Sequence, residues 1–243
     1  MKTNVIAIIP AGGSGRRMQS PNPKQYLFMN GKPVLVHTLL RLQRSSLIDE
    51  ILLVVPEVDL LFVRESIVKP YRLTKIQDIV AGGKERQDSV RNGLAEVGDE
   101  CDVVVVHDGV RPFVTEEMLS RVIDAALQFG AAVAGVPVTD TVKEASGDGY
   151  ISRTLNRETL WLAQTPQAFQ RRILQEAYRR AAEDGFHGTD DASLVEHLGN
   201  PVKMIRGNYR NIKITTPDDL VLAEAFLKED EGEIPLPANC PDY

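Results

Sequence analysis

Val5-Ile6-Ala7-Ile8-Ile9-Pro10-Ala11-Gly12-Gly13-Ser14-Gly15-Arg16-Arg17-Met18 opens the chain with five apolar residues that break directly into a glycine-rich turn. A continuous apolar run, rather than an alternating one, is the pattern of a strand covered on both faces, as in a parallel sheet flanked by helices. The run is too short for the core of a signal peptide and follows a single lysine, so it reads as a buried strand and the chain as cytoplasmic. Similar short runs recur at Ile51–Val55, Ile76–Val80, Val103–Val106 and Ala131–Val136.

Helical spacing fills the gaps. Leu35, Thr38, Leu39 and Leu42 make one stripe. Val122, Ile123, Ala126 and Leu127 make another, behind Thr115 with Glu116 and Glu117 in the first turn, where the helix dipole favours acids. Arg171–Ala182 and Pro217–Leu227 are two more, the latter opened by Thr216-Pro217. The β-α-β-α order predicts an α/β fold with a doubly wound, mostly parallel sheet, with ligands outside the carboxyl ends of its strands. One segment departs from this rhythm. Residues 138–161 alternate apolar and polar around Gly147-Asp148-Gly149, the pattern of a β-arm with few partners in its own chain and hence a candidate dimer contact. Residues 1–228 are expected to form one domain, followed by an acidic, proline-rich tail, 229–243, expected to be loosely ordered. Asn211–Thr215 reads as a late strand.

The 243 residues carry a net charge of −6. A mildly acidic chain has no general attraction for nucleic acid or anionic membranes, so any polyanion must meet locally placed cations. The two cysteines, Cys101 and Cys240, form no C-x-x-C pattern, which argues against a disulfide framework or a structural zinc.

Three clusters fall on strand-ending loops. In the first, Met18 stands where a dinucleotide fingerprint needs its third glycine, and no Walker A lysine follows. What marks this loop is Arg16, Arg17 and, farther on, Lys24, three cations beside backbone N–H groups that glycines leave open to phosphate oxygens. The glycines alone would be only a tight turn; the cations tip the reading to a triphosphate. In the second, Gly82-Gly83-Lys84-Glu85-Arg86-Gln87-Asp88-Ser89 pairs glycines with a helix opened at Ser89. It reads equally as a base or ribose site and as a capped turn. In the third, His107-Asp108-Gly109-Val110-Arg111 ends a four-valine strand. Asp108 could hold a sugar hydroxyl or approach Mg²⁺, and Arg111 suits a phosphate, although a buried Asp–Arg pair would look the same. No Ser-His-Asp or H-E-x-x-H pattern appears. That fits a phosphate monoester nucleophile, which carries its own negative charge of about −1.5 to −2 near pH 7.

These clusters, together with Pro23-Lys24-Gln25-Tyr26, Asp140-Thr141-Val142-Lys143, Thr165-Pro166-Gln167 and Asn211-Ile212-Lys213, occur in an order spanning residues 5 to about 227 that resembles the 2-C-methyl-D-erythritol 4-phosphate cytidylyltransferase family of the non-mevalonate isoprenoid pathway. The resemblance implies a homodimer with a Rossmann-like nucleotidyltransferase fold, using CTP and Mg²⁺. It implies that Arg17 and Lys24 stabilise the pentacoordinate α-phosphate and that Arg157 and Lys213 position the attacking phosphate. It places Ala11, Gly12, Gly13, Ser14, Gly15, Gly82 and Ser89 around the cytidine, and makes Asp108, Arg111, Thr141 and Thr165 substrate contacts, some given across a dimer. Gly12 and Gly109-Val110 replace expected alanines. Asp88 and the Thr139–Lys143 run favour methylerythritol phosphate over the related ribitol 5-phosphate enzyme; a nucleotide-binding regulator without catalysis is the rival from another class.

Overall fold

The computed structural model describes residues 2–13, 18 and 22–230. A seven-stranded sheet forms its centre, built from β1 (Val5–Pro10), β4 (Glu50–Val55), β5 (Ile76–Ala81), β6 (Val103–Val106), β7 (Ala131–Pro137), β10 (Trp161–Gln170) and β11 (Lys203–Arg206), in the order β11-β7-β10-β6-β1-β4-β5. β10 alone runs against the rest, antiparallel to both β6 and β7. Outside this sheet, β2 (Phe28–Met29) and β3 (Lys32–Pro33) pair antiparallel with each other, and a one-turn helix, α2 (Leu60–Val63), lies between β4 and β5. The sequence expectation of a doubly wound, mostly parallel sheet therefore holds.

The continuous apolar runs have a direct cause in the packing. On β1, Val5, Ala7 and Ile9 join the core on one face with helices α1 (Val34–Arg44) and α4 (Glu116–Phe129), while Ile6 and Ile8 join the core on the other. That second face is covered by α3 (Arg86–Ala95), α5 (Arg171–Asp184) and α6 (Asp191–His197). A third, smaller apolar cluster lies under α7 (Pro217–Asp230), where Val110, Phe113 and Ile214 meet Leu227. Thr115 caps α4 by accepting from the Met118 N–H at 3.2 Å, and Asp219 accepts from the Thr215 and Thr216 N–H groups ahead of α7.

Residues 138–160 leave and re-enter the sheet as the expected arm. β8 (Lys143–Ala145) and β9 (Ile151–Thr154) pair antiparallel, exposed along their whole length, around a turn in which Gly149 takes φ +89°.

Four local expectations change. Asn211–Thr215 is not a strand but an extended connection pinned by the Ile214 N–H to the Val110 carbonyl; the late strand is β11, eight residues earlier. Ser89 does not open α3: Glu85 is its N-cap, reciprocated by Asp88, so Ser89 lies within the first turns. Arg157 sits in a short 3₁₀ turn (Arg157–Thr159) after β9 and not on the return strand itself. α7 runs to Asp230, two residues beyond the expected domain end, and the tail from 231 lies outside the described residues. No helix among the described residues is long and apolar enough to cross a membrane.

Candidate active site

The carboxyl ends of β1, β5 and β6 lie on one edge of the sheet, because the three strands run parallel, and the three glycine-bearing loops meet there. Ala11, Gly12 and Gly13, Lys24 and Gln25, Gly83 to Arg86, Ser89, Asp108, Val110 and Lys213 line a cavity of about 480 Å³. A smaller cavity of about 230 Å³ adjoins it, lined by Arg111, Gln164, Thr165, Gln167, Thr189 and Asp190. Arg86, Asp108 and Lys213 belong to both walls.

The larger cavity owes its shape to close backbone approaches. A Cβ on Gly83 would fall 2.2 Å from the Asp88 Cβ, so only glycine admits this turn. The Ser89 hydroxyl is held inside it, accepting from the Gly83 N–H at 3.1 Å and donating to the Glu85 carbonyl at 3.1 Å. A Cβ on Gly82 would come 3.0 Å from that oxygen. Gly109 is similarly enclosed: a Cβ there would meet Leu35 at 2.9 Å and Ala11 at 3.1 Å, and its carbonyl accepts from Thr38 on α1. The glycine standing for an expected alanine thus has a packing reason here, whereas at Gly12 an alanine would make only ordinary contact with Pro56.

Asp108 is the electrostatic centre. Its Oδ1 accepts from Arg86 Nε at 3.2 Å, and its Oδ2 lies 2.7 Å from Lys213 Nζ and 3.8 Å from Arg111 Nε. Burial pushes its pKa up, but Arg86, Lys213 and Arg111 together outweigh that and hold the carboxylate well below its usual range. Asp191 takes the other end of Arg86, from Nη2 at 2.7 Å, and accepts the Tyr178 hydroxyl at 2.6 Å. Burial disfavours the charge on Arg86, yet Asp191 and Asp108 raise its pKa and keep it cationic. Three cations against two carboxylates leave this cluster one positive charge in excess.

Behind Asp108, Thr165 and His107 form a relay: the Asp108 N–H donates to Thr165 Oγ1, which lies 3.0 Å from His107 Nδ1. Thr165 stands in a stretch of β10, between Ala163 and Gln167, where the ladder with β7 shifts register. The Arg111 guanidinium donates to the Asn211 carbonyl at 2.7 Å, and its buried Nε makes no hydrogen bond among the described residues.

Of the residues expected at the site, Ala11, Gly12, Gly13, Lys24, Ser89, Asp108, Arg111, Thr165 and Lys213 line one cavity or the other, and Gly82 adjoins Ser89. Ser14, Gly15 and Arg17 lie outside the described residues. Thr141 and Arg157 are exposed on the arm and line neither cavity; Arg157 donates to the Thr139 carbonyl at its base. Asp191 and Tyr178 carry no signal in a local motif: one is the first residue of a short helix and the other lies mid-helix. Among the described residues no group of three or more His, Cys, Asp or Glu side chains is arranged to hold a metal, and both oxygens of Asp108 face cations.

Comparison with known proteins agrees with this geometry. The family model described as 2-C-methyl-D-erythritol 4-phosphate cytidylyltransferase matches residues 5–229. The enzyme of that name from Syntrophus aciditrophicus (strain SB) is 69% identical over 234 residues, covering 96% of this chain and 100% of its own. Among solved structures, the 4-diphosphocytidyl-2C-methyl-D-erythritol synthase of Anaerococcus prevotii DSM 20548 is similar with a TM-score of 0.80 and 35% identity, covering 93% of this chain and 97% of its own. The 2-C-methyl-D-erythritol 4-phosphate cytidylyltransferase of Thermus thermophilus has a TM-score of 0.74 and 35% identity, covering 94% and 100%.

Proposed function

The chain belongs to the 2-C-methyl-D-erythritol 4-phosphate cytidylyltransferase family, and from that premise we propose a division of labour among the residues of the two cavities. The reaction is transfer of CMP from CTP to 2-C-methyl-D-erythritol 4-phosphate with release of pyrophosphate, a step of isoprenoid biosynthesis. A phosphate oxygen of the alcohol attacks the α-phosphorus of CTP. A new P–O bond forms there as the bond to the bridging β-oxygen breaks, and pyrophosphate leaves.

CTP takes the larger cavity, with its base against the Gly82–Ser89 turn and its phosphates toward the Ala11–Gly15 loop. Lys24, with Arg17, meets the charge that builds on the α-phosphate. The alcohol phosphate takes the smaller cavity, where Asp108 and Thr165 accept or brace its hydroxyls and Arg111 offers its unused Nε. Lys213 stands in both walls and lines up the attacking phosphate. This shared position is the single observation that carries the assignment: a cation common to the donor and acceptor cavities is placed where the two substrates must touch.

Thr141 and Arg157 serve a neighbouring subunit's site in a homodimer joined through the arm. This is supported by their standing outside the walls of both cavities of their own chain and by the exposure of Tyr150, Ile151 and Leu162 along and beside the arm. Mg²⁺ would be carried by the triphosphate and not by Asp108, whose cationic surroundings do not suit a divalent ion. The compartment is the cytoplasm, since the two cysteines form no framework and Cys101 is buried.

Pyrophosphate release across a panel of nucleoside triphosphates and alcohol phosphates tests the whole reading. CTP with methylerythritol phosphate should turn over fastest. Equal turnover of ribitol 5-phosphate would overturn the substrate assignment, and binding of CTP without release would indicate a regulator.

A further inference from the structure

Arg86 is the one cation of the shared wall whose other end is anchored in the protein interior. It is the first residue of α3; Asp191 is the first of α6; Tyr178 lies on α5. Asp191 is 1% exposed and Tyr178 4%. A carboxylate taken this far from water is costly unless it is paired, and such pairs are weak evidence of stabilisation, because an apolar filling would serve the fold as well. What the pairing does supply is direction. A free arginine side chain samples many rotamers, and fixing one of them costs conformational entropy. The Asp191 contact at 2.7 Å, itself braced by the Tyr178 hydroxyl at 2.6 Å, leaves Nε of the same guanidinium facing Asp108 Oδ1 at 3.2 Å. Asp108 in turn holds Lys213 through its second oxygen at 2.7 Å. The line Tyr178–Asp191–Arg86–Asp108–Lys213 thus joins α5, α6, α3, the end of β6 and the connection before α7 through consecutive polar contacts.

We propose that Asp191 and Tyr178 are positioning residues for the alcohol phosphate, acting through Arg86 to set the Asp108 carboxylate and, with it, the Lys213 ammonium. Without Asp191, the Arg86 guanidinium is free to turn wholly onto Asp108 or onto an incoming phosphate, and either movement draws Asp108 away from Lys213. The inference rests on the reading that Lys213 lines up the attacking phosphate.

The test uses the full chain with Asp191→Asn, Tyr178→Phe, Arg86→Lys, the Arg86→Lys/Asp191→Asn double variant and, as the control for Lys213, Lys213→Ala. Each is checked for a folded thermal transition, and steady-state rates are measured with CTP and methylerythritol phosphate varied in turn. A displaced reacting group costs up to ~10²-fold. In Asp191→Asn that loss is expected in kcat/KM for the alcohol phosphate, with the KM for CTP at the parent value. Tyr178→Phe, which removes only the bracing hydroxyl, falls in the same direction by less. The double variant is no slower than Arg86→Lys alone, because the two act on one line. Parent values for both Asp191→Asn and Tyr178→Phe, additive losses in the double variant, or equal rises in both KM values overturn the proposal. If Asp191→Asn does not fold, Tyr178→Phe decides, and a parent-like result there overturns it. Parent-like turnover in Lys213→Ala instead overturns the reading beneath it, whereas loss in Lys213→Ala beside intact Asp191→Asn and Tyr178→Phe overturns this inference alone.

Discussion

At His107 both ring nitrogens are engaged. The Arg111 carbonyl can only accept, so Nε2 donates to it at 3.0 Å; Thr165 Oγ1 already accepts from Asp108, so its hydrogen goes to Nδ1. Burial pushes the imidazole down to about 4 from 6.5, although the Arg111 carbonyl and Asp108 act in the opposite sense. Between those values the unfolded chain binds a proton that the folded chain refuses. Stability from this source is complete above pH 6.5 and is lost as pH falls toward 4, by about 3 kcal/mol at full extent. In His107→Asn, denaturant unfolding followed from pH 7 to pH 4 should therefore show a shallower decline than in the parent. The same variant should keep the acid limb of its rate profile near pH ~6, the second ionisation of the substrate phosphate; a limb that vanishes would make His107 a base after all. Lys24 acts differently: Lys24→Ala should lower kcat by ~10²–10³ while CTP affinity changes little, the mark of a donor used in the transition state. Near-parent kcat would remove it from that role.

Elements account for what could be read from the chain and what could not. The strands whose apolar runs face two covered sides were legible, because Ile6 and Ile8 pack on one face and Ala7 and Ile9 on the other. The loops that follow them were legible too, since strand ends in such a sheet are where ligands must sit. β10 and β11 were not. β10 contains Pro166 and a register shift, and β11 (Lys203-Met204-Ile205-Arg206) is an exposed edge with too little apolar content to stand out. The Asn211–Thr215 run alternates as a strand would, but its alternation comes from Ile214 entering the small cluster under α7 while Lys213 reaches Asp108. Asp191 was hidden for a related reason: its partner, Arg86, lies 105 residues away, a contact that no local spacing reports, and Tyr178 joins the site only through Asp191. The contrast between two helix starts makes a test at this scale. Thr115→Ala loses the α4 cap and should cost ~1 kcal/mol with activity intact. Gly83→Ala forces a Cβ into Asp88 and should cost ~1–3 kcal/mol and raise the KM for CTP, because the turn it displaces is the cavity wall. An unchanged KM in Gly83→Ala would separate the turn from the nucleotide.

For the whole molecule, the proposed supply of Thr141 and Arg157 by a neighbour ties activity to assembly. Specific activity should then fall on dilution in step with the dimer fraction measured by light scattering, and a monomeric, fully active chain would refute the arrangement. The direction of β10 adds something further. β7 ends at Pro137 on the edge where the cavities open, and β10, being antiparallel, begins at Trp161 on that same edge. The Val138 N–H and the Leu160 carbonyl close the base of the excursion at 3.0 Å. Everything between is therefore a detachable module whose two ends are already neighbours. A folded guest segment spliced at Gly147–Gly149, or a short turn replacing residues 140–156, leaves the sheet's register untouched. The arm is thus the place where this scaffold can be lengthened or shortened without disturbing the sheet, and an exchange between relatives would, on the proposed arrangement, change subunit recognition and the Thr141 and Arg157 contacts together.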